Sequence, residues 1–377
     1  MSLSASKGIK DTNDQVVRIK DIAKKAGVSV GTVDRVIHKR SGVSAKSYNK
    51  VMKILEEMNY EPNLMARALV SKKIHKIAAL IPDARMDSYW EEPREGIAKA
   101  ANNMKQYGIR VAEYIFDPTD KNSFIERAEL VTKQAPDGIL VAPIFYSESL
   151  PFLQKWKEMN IPIVLFNTQI SEFEPLSYIG QDSYQSGLLA GKLIHYGQHL
   201  PCTVAILHID EDISNAAHLQ KKEKGFRNYF KQNDPNGQFK IITVQMNRSN
   251  LSAFAKAMDD LVEDHTDLSS IFVTTCKAYE VAKYLEQRHI NHLTLIGYDL
   301  LPPNLYFLEK GRIGFLINQN AGTQGYMGIY VLTQHLVFKR QVPEIKYLPL
   351  DVVTKENMNY FIEKVKPGIM ELSYDVA

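Results

Sequence analysis

Five residues near the amino terminus, Thr32, Arg35, His38, Lys39 and Arg40, have the side chains of a polyanion reader. Arginine can bridge two acceptors on one base edge in a groove, while threonine and lysine can hold phosphate oxygens. Lys20, Lys24, Lys25, Lys46 and Lys50 lie around them. The distribution of charge points the same way. Residues 1–76 of the 377 hold 16 Lys and Arg against 7 Asp and Glu, a balance of +9, while the remainder holds 30 against 36, a balance of −6. The net charge of +3 therefore conceals a basic end on an acidic body, and the end is the part suited to a polyanion. A solvated basic helix surface would show the same numbers, so the order of residues has to separate the two.

A second group stands at the ends of strand-like runs. Asp299 closes Leu295-Ile296-Gly297-Tyr298-Asp299, where a carboxylate can accept from two adjacent sugar hydroxyls or cap the turn before Pro302-Pro303. Gln319 follows the run 315–318 and can both donate and accept. Asn167 and Thr275 are further polar strand-end residues. Tyr89 and Trp90, after the first strand, suit either a sugar face or a core, and His218 suits either the same cleft or a structural role. Catalysis and metal binding find no comparable support. His195 and His199 are four apart, but Gly197 interrupts their helix and no carboxylate stands at metalloprotease spacing. Neither a Gly-x-Ser-x-Gly elbow nor a Walker sequence occurs. Cys202 and Cys276, 74 positions apart, indicate neither a disulfide framework nor a zinc knuckle. No catalytic residue, metal or cofactor is expected. Gly322, Gly325 and Gly328 suit close helix packing rather than a phosphate loop.

Short helices must present the basic residues. Ile19, Ile22, Ala23 and Ala26 follow helical spacing, Gly27 can end that helix in the left-handed conformation, and Ser29 can cap the next. A second helix is predicted at about 30–38, burying Val33, Val36 and Ile37. A third is predicted at about 45–58 after the cap Ser44, burying Val51, Ile54, Leu55 and Met58. Two short helices joined by a glycine turn, with a third across them, make a helix-turn-helix unit. Pro62 then opens a segment suited to a short helix too marginal to stand alone, or to a plain connector. From residue 76, strand-like runs at 77–81, 110–116, 138–143, 163–167, 203–209, 240–245, 270–274 and 294–298 alternate with helix-like runs. That alternation predicts parallel sheets flanked by helices, in two lobes of about four units on either side of residue 168, with a ligand between the strand ends. No run of about 18 apolar residues occurs, and the start lacks an apolar core of signal-peptide length, so a cytoplasmic protein is expected.

The order of residues is more specific than any of these patterns. Ile19-Lys20-Asp21-Ile22-Ala23, Ala26-Gly27-Val28-Ser29 and Thr32-Val33-Asp34-Arg35-Val36, then Val43-Ser44-Ala45-Lys46 and Met58-Asn59-Tyr60-Glu61-Pro62-Asn63, resemble the start of LacI/GalR-family transcription regulators. Residues 135–143 and 161–167, Ile179-Gly180-Gln181-Asp182, the run ending at Asp299, and Leu316-Ile317-Asn318-Gln319 resemble that family's periplasmic-binding-protein-like (type 1) body. The resemblance covers about 17–350. It implies an all-α helix-turn-helix head joined to an α/β two-lobed domain: 1–16 a disordered segment, 17–61 the head, 62–75 a hinge helix, 76–352 an effector-binding and dimerisation domain, and 353–377 a C-terminal extension.

By the same resemblance Val30, Gly31 and Arg35 stand where the family reads bases and Thr32 at a phosphate contact, with Lys20 and His38 on the same DNA-facing surface. Gly31 offers no side chain, and Asp34 replaces the family's usual Ser; it can accept from cytosine or pair with Lys39 or Arg35. In the hinge, Asn63, Ala66 and Arg67 would face DNA while Leu69 wedges into a minor-groove step. Lys222, three before Gly225, stands where the family usually has Arg, keeping the charge but losing the bidentate fork. The function implied is a homodimeric repressor of a palindromic double-stranded DNA operator, controlled by a small polar ligand, a sugar, and without contact to a membrane. A solute-binding sensor acting through protein partners and an α/β enzyme are the alternatives from other classes.

Overall fold

A computed structural model describes residues 18–37, 40–58, 73–196, 198, 201–211, 213–248 and 250–365. The chain divides into two units, Met1–Arg67 and Ala68–Ala377. His38, Lys39 and the stretch 59–72, which holds Asn63, Ala66, Arg67, Leu69 and most of the expected hinge helix, lie outside the described residues, as do 1–17 and 366–377.

Three helices make the first unit: α1 (Ile19–Ala26), α2 (Val30–Ile37) and α3 (Ala45–Glu57). Gly27 stops α1 at φ +63°, and the Val28 N–H donates to Ala23 O at 3.1 Å, a left-handed stop at which a side chain would be strained. The Ser29 hydroxyl then caps α2 by accepting the Thr32 N–H at 3.1 Å, and Ser44 caps α3 through the Ser47 N–H at 3.3 Å. Ile22, Ala23, Ala26, Val33, Val36, Val51 and Ile54 form the buried core.

Two sheets build the second unit. The first lobe contains β1 (His75–Pro82), α4 (Glu91–Met104), β2 (Ile109–Phe116), α5 (Lys121–Gln134), β3 (Gly138–Val141), α6 (Tyr146–Glu158), β4 (Ile163–Phe166) and β5 (Ser177–Gly180). The second contains α7 (Ser183–His195), β6 (Cys202–Ile209), α8 (Ala217–Asn233), β7 (Phe239–Met246), α9 (Leu251–Asp264), β8 (Leu268–Val273), α10 (Ala278–Gln287), β9 (Thr294–Tyr298), α11 (Pro302–Glu309) and β10 (Phe315–Asn318). The chain then returns to the first lobe for α12 (Ala321–Leu336) and β11 (Ile345–Tyr347), and ends in the second with β12 (Asp351–Val353) and α13 (Asn359–Val365). Strand order is β11-β5-β4-β3-β1-β2 in one sheet and β12-β10-β9-β8-β6-β7 in the other. The pairings are parallel except β10 with β12. Every residue of β3, β4, β5 and β6 is buried, as strands covered by helices on both faces must be.

Two sequence expectations change here. The lobes are not consecutive halves, because the chain passes between them three times. The packing of α12 on α4 explains the return: a Cβ at Gly325 would lie 2.1 Å from Pro93 O, and one at Gly96 would lie 2.0 Å from Gly322 O, so only glycines allow that approach. The start of the expected C-terminal extension is also part of the fold, since Val353 and Met358 are buried in the second lobe's core and Phe361 and Ile362 pack on it.

All three crossings meet at one side chain. Gln181, in the first crossing and 4% exposed, donates through Nε2 to Asn318 O at 2.7 Å and Pro349 O at 3.2 Å, which belong to the other two. Asn320, at φ +53°, adds a bond from Nδ2 to Asp351 Oδ2 at 2.9 Å.

Candidate functional site

On α2, burial of Val33 and Val36 turns Val30, Gly31 and Arg35 outward, and Val30 is left 52% exposed. The Thr32 hydroxyl lies 2.9 Å from Ser29 Oγ and is thereby held in the first turn, where the helix dipole favours an anion. Lys20 is exposed on α1. Asp34 pairs with Arg40 at 3.2 Å, and the Arg40 N–H closes back onto Arg35 O at 2.8 Å, while Lys39 lies outside the described residues. An exposed pair of this kind is worth about 0–1 kcal/mol and breaks easily. His38, Asn63, Ala66, Arg67 and Leu69 carry no structural description.

In the body, strand ends of both lobes meet across a cleft. From the first lobe, Asn167 follows β4 at φ +66° and donates through Nδ2 to Tyr89 Oη at 2.7 Å. Trp90 packs edge-on against Tyr89 at 5.0 Å and Phe166 at 6.1 Å. Both rings are buried in an apolar cluster that also takes in Cys276 and Leu301 from the second lobe, so they form part of the seam between lobes.

From the second lobe comes Asp299, following β9 at φ +67° and 4% exposed. Its carboxylate accepts from Gln319 Nε2 at 2.7 Å and from the Gln319 N–H at 3.3 Å. It does not cap α11, whose N-cap position is Leu301. Lys222, 2% exposed on α8, donates to Thr274 O at 2.9 Å and stands 3.5 Å over the Tyr298 ring. The Thr275 hydroxyl, just past β8, is buried without a hydrogen-bond partner among the described residues. His218 spans the lobes, 3.4 Å from Thr168 Oγ1 and 3.2 Å from Glu211 Oε2. Burial pushes the Asp299 carboxyl up to about 7 against the pull of Lys222, and pushes the Lys222 ammonium down to about 8 against the pull of Asp299. The cleft floor thus holds two opposite charges that lack water and can use hydroxyl partners.

Several residues that shape this cleft were not anticipated. Lys277, 7% exposed by its side chain, donates across the lobes to Asp87 Oδ2 at 2.6 Å. Burial pushes the thiol of its neighbour Cys276 up to about 12, against the pull of Lys277. Asn215 accepts the Ser147 N–H at 2.9 Å and donates to Glu148 at 2.9 Å, a further link between the lobes. Asn304, fully buried, lies 2.9 Å from Cys276 O and Tyr298 O and 3.1 Å from Asp299 O, tying two strand ends together. The strand-end rule that selected Thr275 extends naturally to Lys277 and, after β1, to Asp87. Asn304 lies inside a helix and carries no such signal. Among the described residues no group of three or more His, Cys, Asp or Glu could hold a metal, and no helix is long and apolar enough to cross a membrane.

A helix-turn-helix head ahead of a two-lobed body with its strand ends in one cleft defines the class. Residues 18–63 match the bacterial regulatory proteins of the lacI family and residues 77–340 match the periplasmic binding protein domain, so the chain belongs to the lacI family of bacterial regulatory proteins. It is 32% identical over 176 residues to the HTH-type transcriptional regulator MalR of Streptococcus pneumoniae, a match covering 45% of this chain and 51% of that protein. The match thus spans about half the length of that relative. To the ribose operon repressor of Halalkalibacterium halodurans it is 26% identical over 291 residues, 75% of this chain and 80% of the other. Among solved structures it is similar to a protein of Bacteroides fragilis assigned as a LacI transcriptional regulator, with TM-score 0.70, 29% identity, and 76% and 99% of the two chains covered. The glucose-galactose binding protein GanP of Geobacillus stearothermophilus, at TM-score 0.67, 23% identity and 76% and 99% coverage, shares the fold.

Proposed function

We propose that this chain is a sequence-specific DNA-binding transcription regulator, a repressor, whose operator affinity is set by a sugar closed between the two lobes. The observation that carries the reading is the joining, in one chain, of a helix exposing Val30, Gly31, Thr32 and Arg35 to a cleft floored by buried Asp299 and Lys222. Arg35 would read a base edge, Thr32 and Lys20 would hold phosphates, and Asp34 would exchange Arg40 for a cytosine amine. Two chains would present two such helices about 34 Å apart to a palindromic operator in the cytoplasm. His38, and Asn63, Ala66, Arg67 and Leu69 of the linker, would complete the DNA surface. In the cleft, Asp299 would accept two ligand hydroxyls, with Lys222, Thr275, Asn167, Gln319 and His218 around the ring and Tyr89 and Trp90 as its wall. The lobes would close on the ligand and shift the head between binding and released states.

The test is fluorescence anisotropy of the full chain on duplexes selected from a randomised palindromic library. Nanomolar binding is expected, weakening steeply with salt, and Lys20→Ala should lower the salt slope by about one. Arg35→Ala should cost about 1–3 kcal/mol and relax specificity at one base. No binding at low salt would sink the DNA reading and favour a sensor acting through protein partners, while binding that ignores both changes would move the contact surface away from Arg35 and Lys20.

A further inference from the structure

Residues next in sequence to His218 and Lys222 enter a compartment of about 290 Å³, lined by Tyr146, Ser171 and Glu172 and, from the second lobe, Ser214, Ala217, Gln220 and Lys221. Its volume is near the lower end of small-molecule sites, roughly 300–1,000 Å³. Helix α8 supplies residues to both this space and the cleft floor. Lys222 turns inward to Thr274 and Tyr298, whereas Lys221 turns outward to the Gln169 side chain at 3.4 Å. His218, next to Ala217 on the same helix, contacts Thr168 at 3.4 Å, a long hydrogen bond, and Thr168 itself leans on Asn167 at 3.1 Å. A ligand reaching from one space to the other could replace that contact with its own hydroxyls. The lining of the outer compartment is balanced in charge, one ammonium (Lys221) against one carboxylate (Glu172), and adds two hydroxyls, an amide and an aromatic edge. Such a surface offers donors and acceptors in similar number and no excess positive charge, which suits a neutral polyol ring better than a phosphate or a carboxylate.

Resting on the sugar reading of the cleft, we infer that the effector is a disaccharide or a larger glycoside, one unit on the Asp299 floor and the next in the compartment of Lys221 and Glu172. The glycosidic link would pass where His218 meets Thr168. Residues of both lobes line the outer compartment, so a second unit would also add to the closing force.

Calorimetric titration of the full chain with glucose and galactose, and with maltose, cellobiose, lactose and melibiose, tests this. At least one disaccharide should bind about tenfold tighter than its parent monosaccharide, the worth of one or two added hydrogen bonds. Ala217→Leu should erase that advantage by filling the compartment, and Glu172→Ala, at an exposed loop position, should reduce it without risk to folding. Monosaccharide affinity should stay within about twofold in both. Asp299→Asn should weaken every sugar alike. Disaccharides that bind no tighter than monosaccharides, or an advantage that survives both outer changes, would overturn the inference while leaving the sugar site intact. If none of the six sugars binds, the sugar reading itself falls and this inference falls with it.

Discussion

Apart from Asp87, the first lobe gives the cleft Tyr89, Trp90 and Asn167, neutral groups packed or hydrogen-bonded within that lobe. From the second the cleft receives Asp299, Lys222 and Lys277, ionisable groups that are each nearly buried. The aromatic wall of the first lobe therefore gains its stability from packing, within its own lobe and against Cys276 and Leu301 at the seam. In the second lobe the charges lose water as the lobes close, and only a partner group or a ligand hydroxyl offsets that loss. The contrast assigns shape to one lobe and closing energetics to the other, and substitutions should separate along the same line.

The largest effect is expected from the neutral side. Trp90→Ala removes a buried indole from the seam cluster and should lower folding stability by about 3–5 kcal/mol, read by denaturant unfolding. Asp299→Asn should do the reverse. The fold should hold, since Gln319 can still bond the amide, while sugar affinity drops about 10- to 100-fold through loss of charge-assisted hydrogen bonds worth roughly 1.5–3 kcal/mol. If Trp90→Ala left stability unchanged and abolished binding alone, the division between lobes would be wrong. A smaller effect is expected at the Asp87–Lys277 ion pair, which joins the lobes. Asp87→Asn and Lys277→Met should each weaken ligand binding, with a coupling of about 1–3 kcal/mol in a double-mutant cycle. Their unliganded stability should change less than for a pair buried within one lobe, because an open cleft returns both groups to water. Equal losses with and without ligand would show that the pair holds the fold, not the closure.

How much of this could be read in advance follows from range of interaction. Gly27 and Ser29 act on their own backbone neighbours, so the head was legible residue by residue. Asp299 and Gln319 were legible because parallel strands deliver their carboxyl ends to one side, a rule that needs no knowledge of partners. The Asp87–Lys277 pair needs both lobes in register across 190 positions, and local patterning holds no trace of it. Helix α8 starts at Ala217, and its N-cap position is Ala216, so no capping side chain marks the start in the sequence. That start puts His218 on the same helix as Lys221 and Lys222. The short strands β5, β11 and β12, three or four residues each, were too brief to show a period, and the three crossings were hidden with them.

The smallest effect is a pH dependence, and its sign follows from the two buried charges. Asp299 titrates at about 7 in the folded protein against an ordinary 3.8, so between those values the folded state binds more protons than the unfolded one. Its contribution to stability is present below about pH 4 and is lost as pH rises through 7. Lys222 titrates at about 8 against 10.5, so across that window the folded state binds fewer protons, and stability recovers as pH rises. The ligand-free body should therefore show a shallow minimum in melting temperature between about pH 7 and 8. A drop of a few degrees is expected, reduced because transient opening rehydrates both groups. Asp299→Asn should flatten the acid side, and Lys222→Met the alkaline side. Asn167→Ala, on the neutral wall, should leave both slopes in place; a slope lost with Asn167 would mean that the wall shares in the titration of the floor.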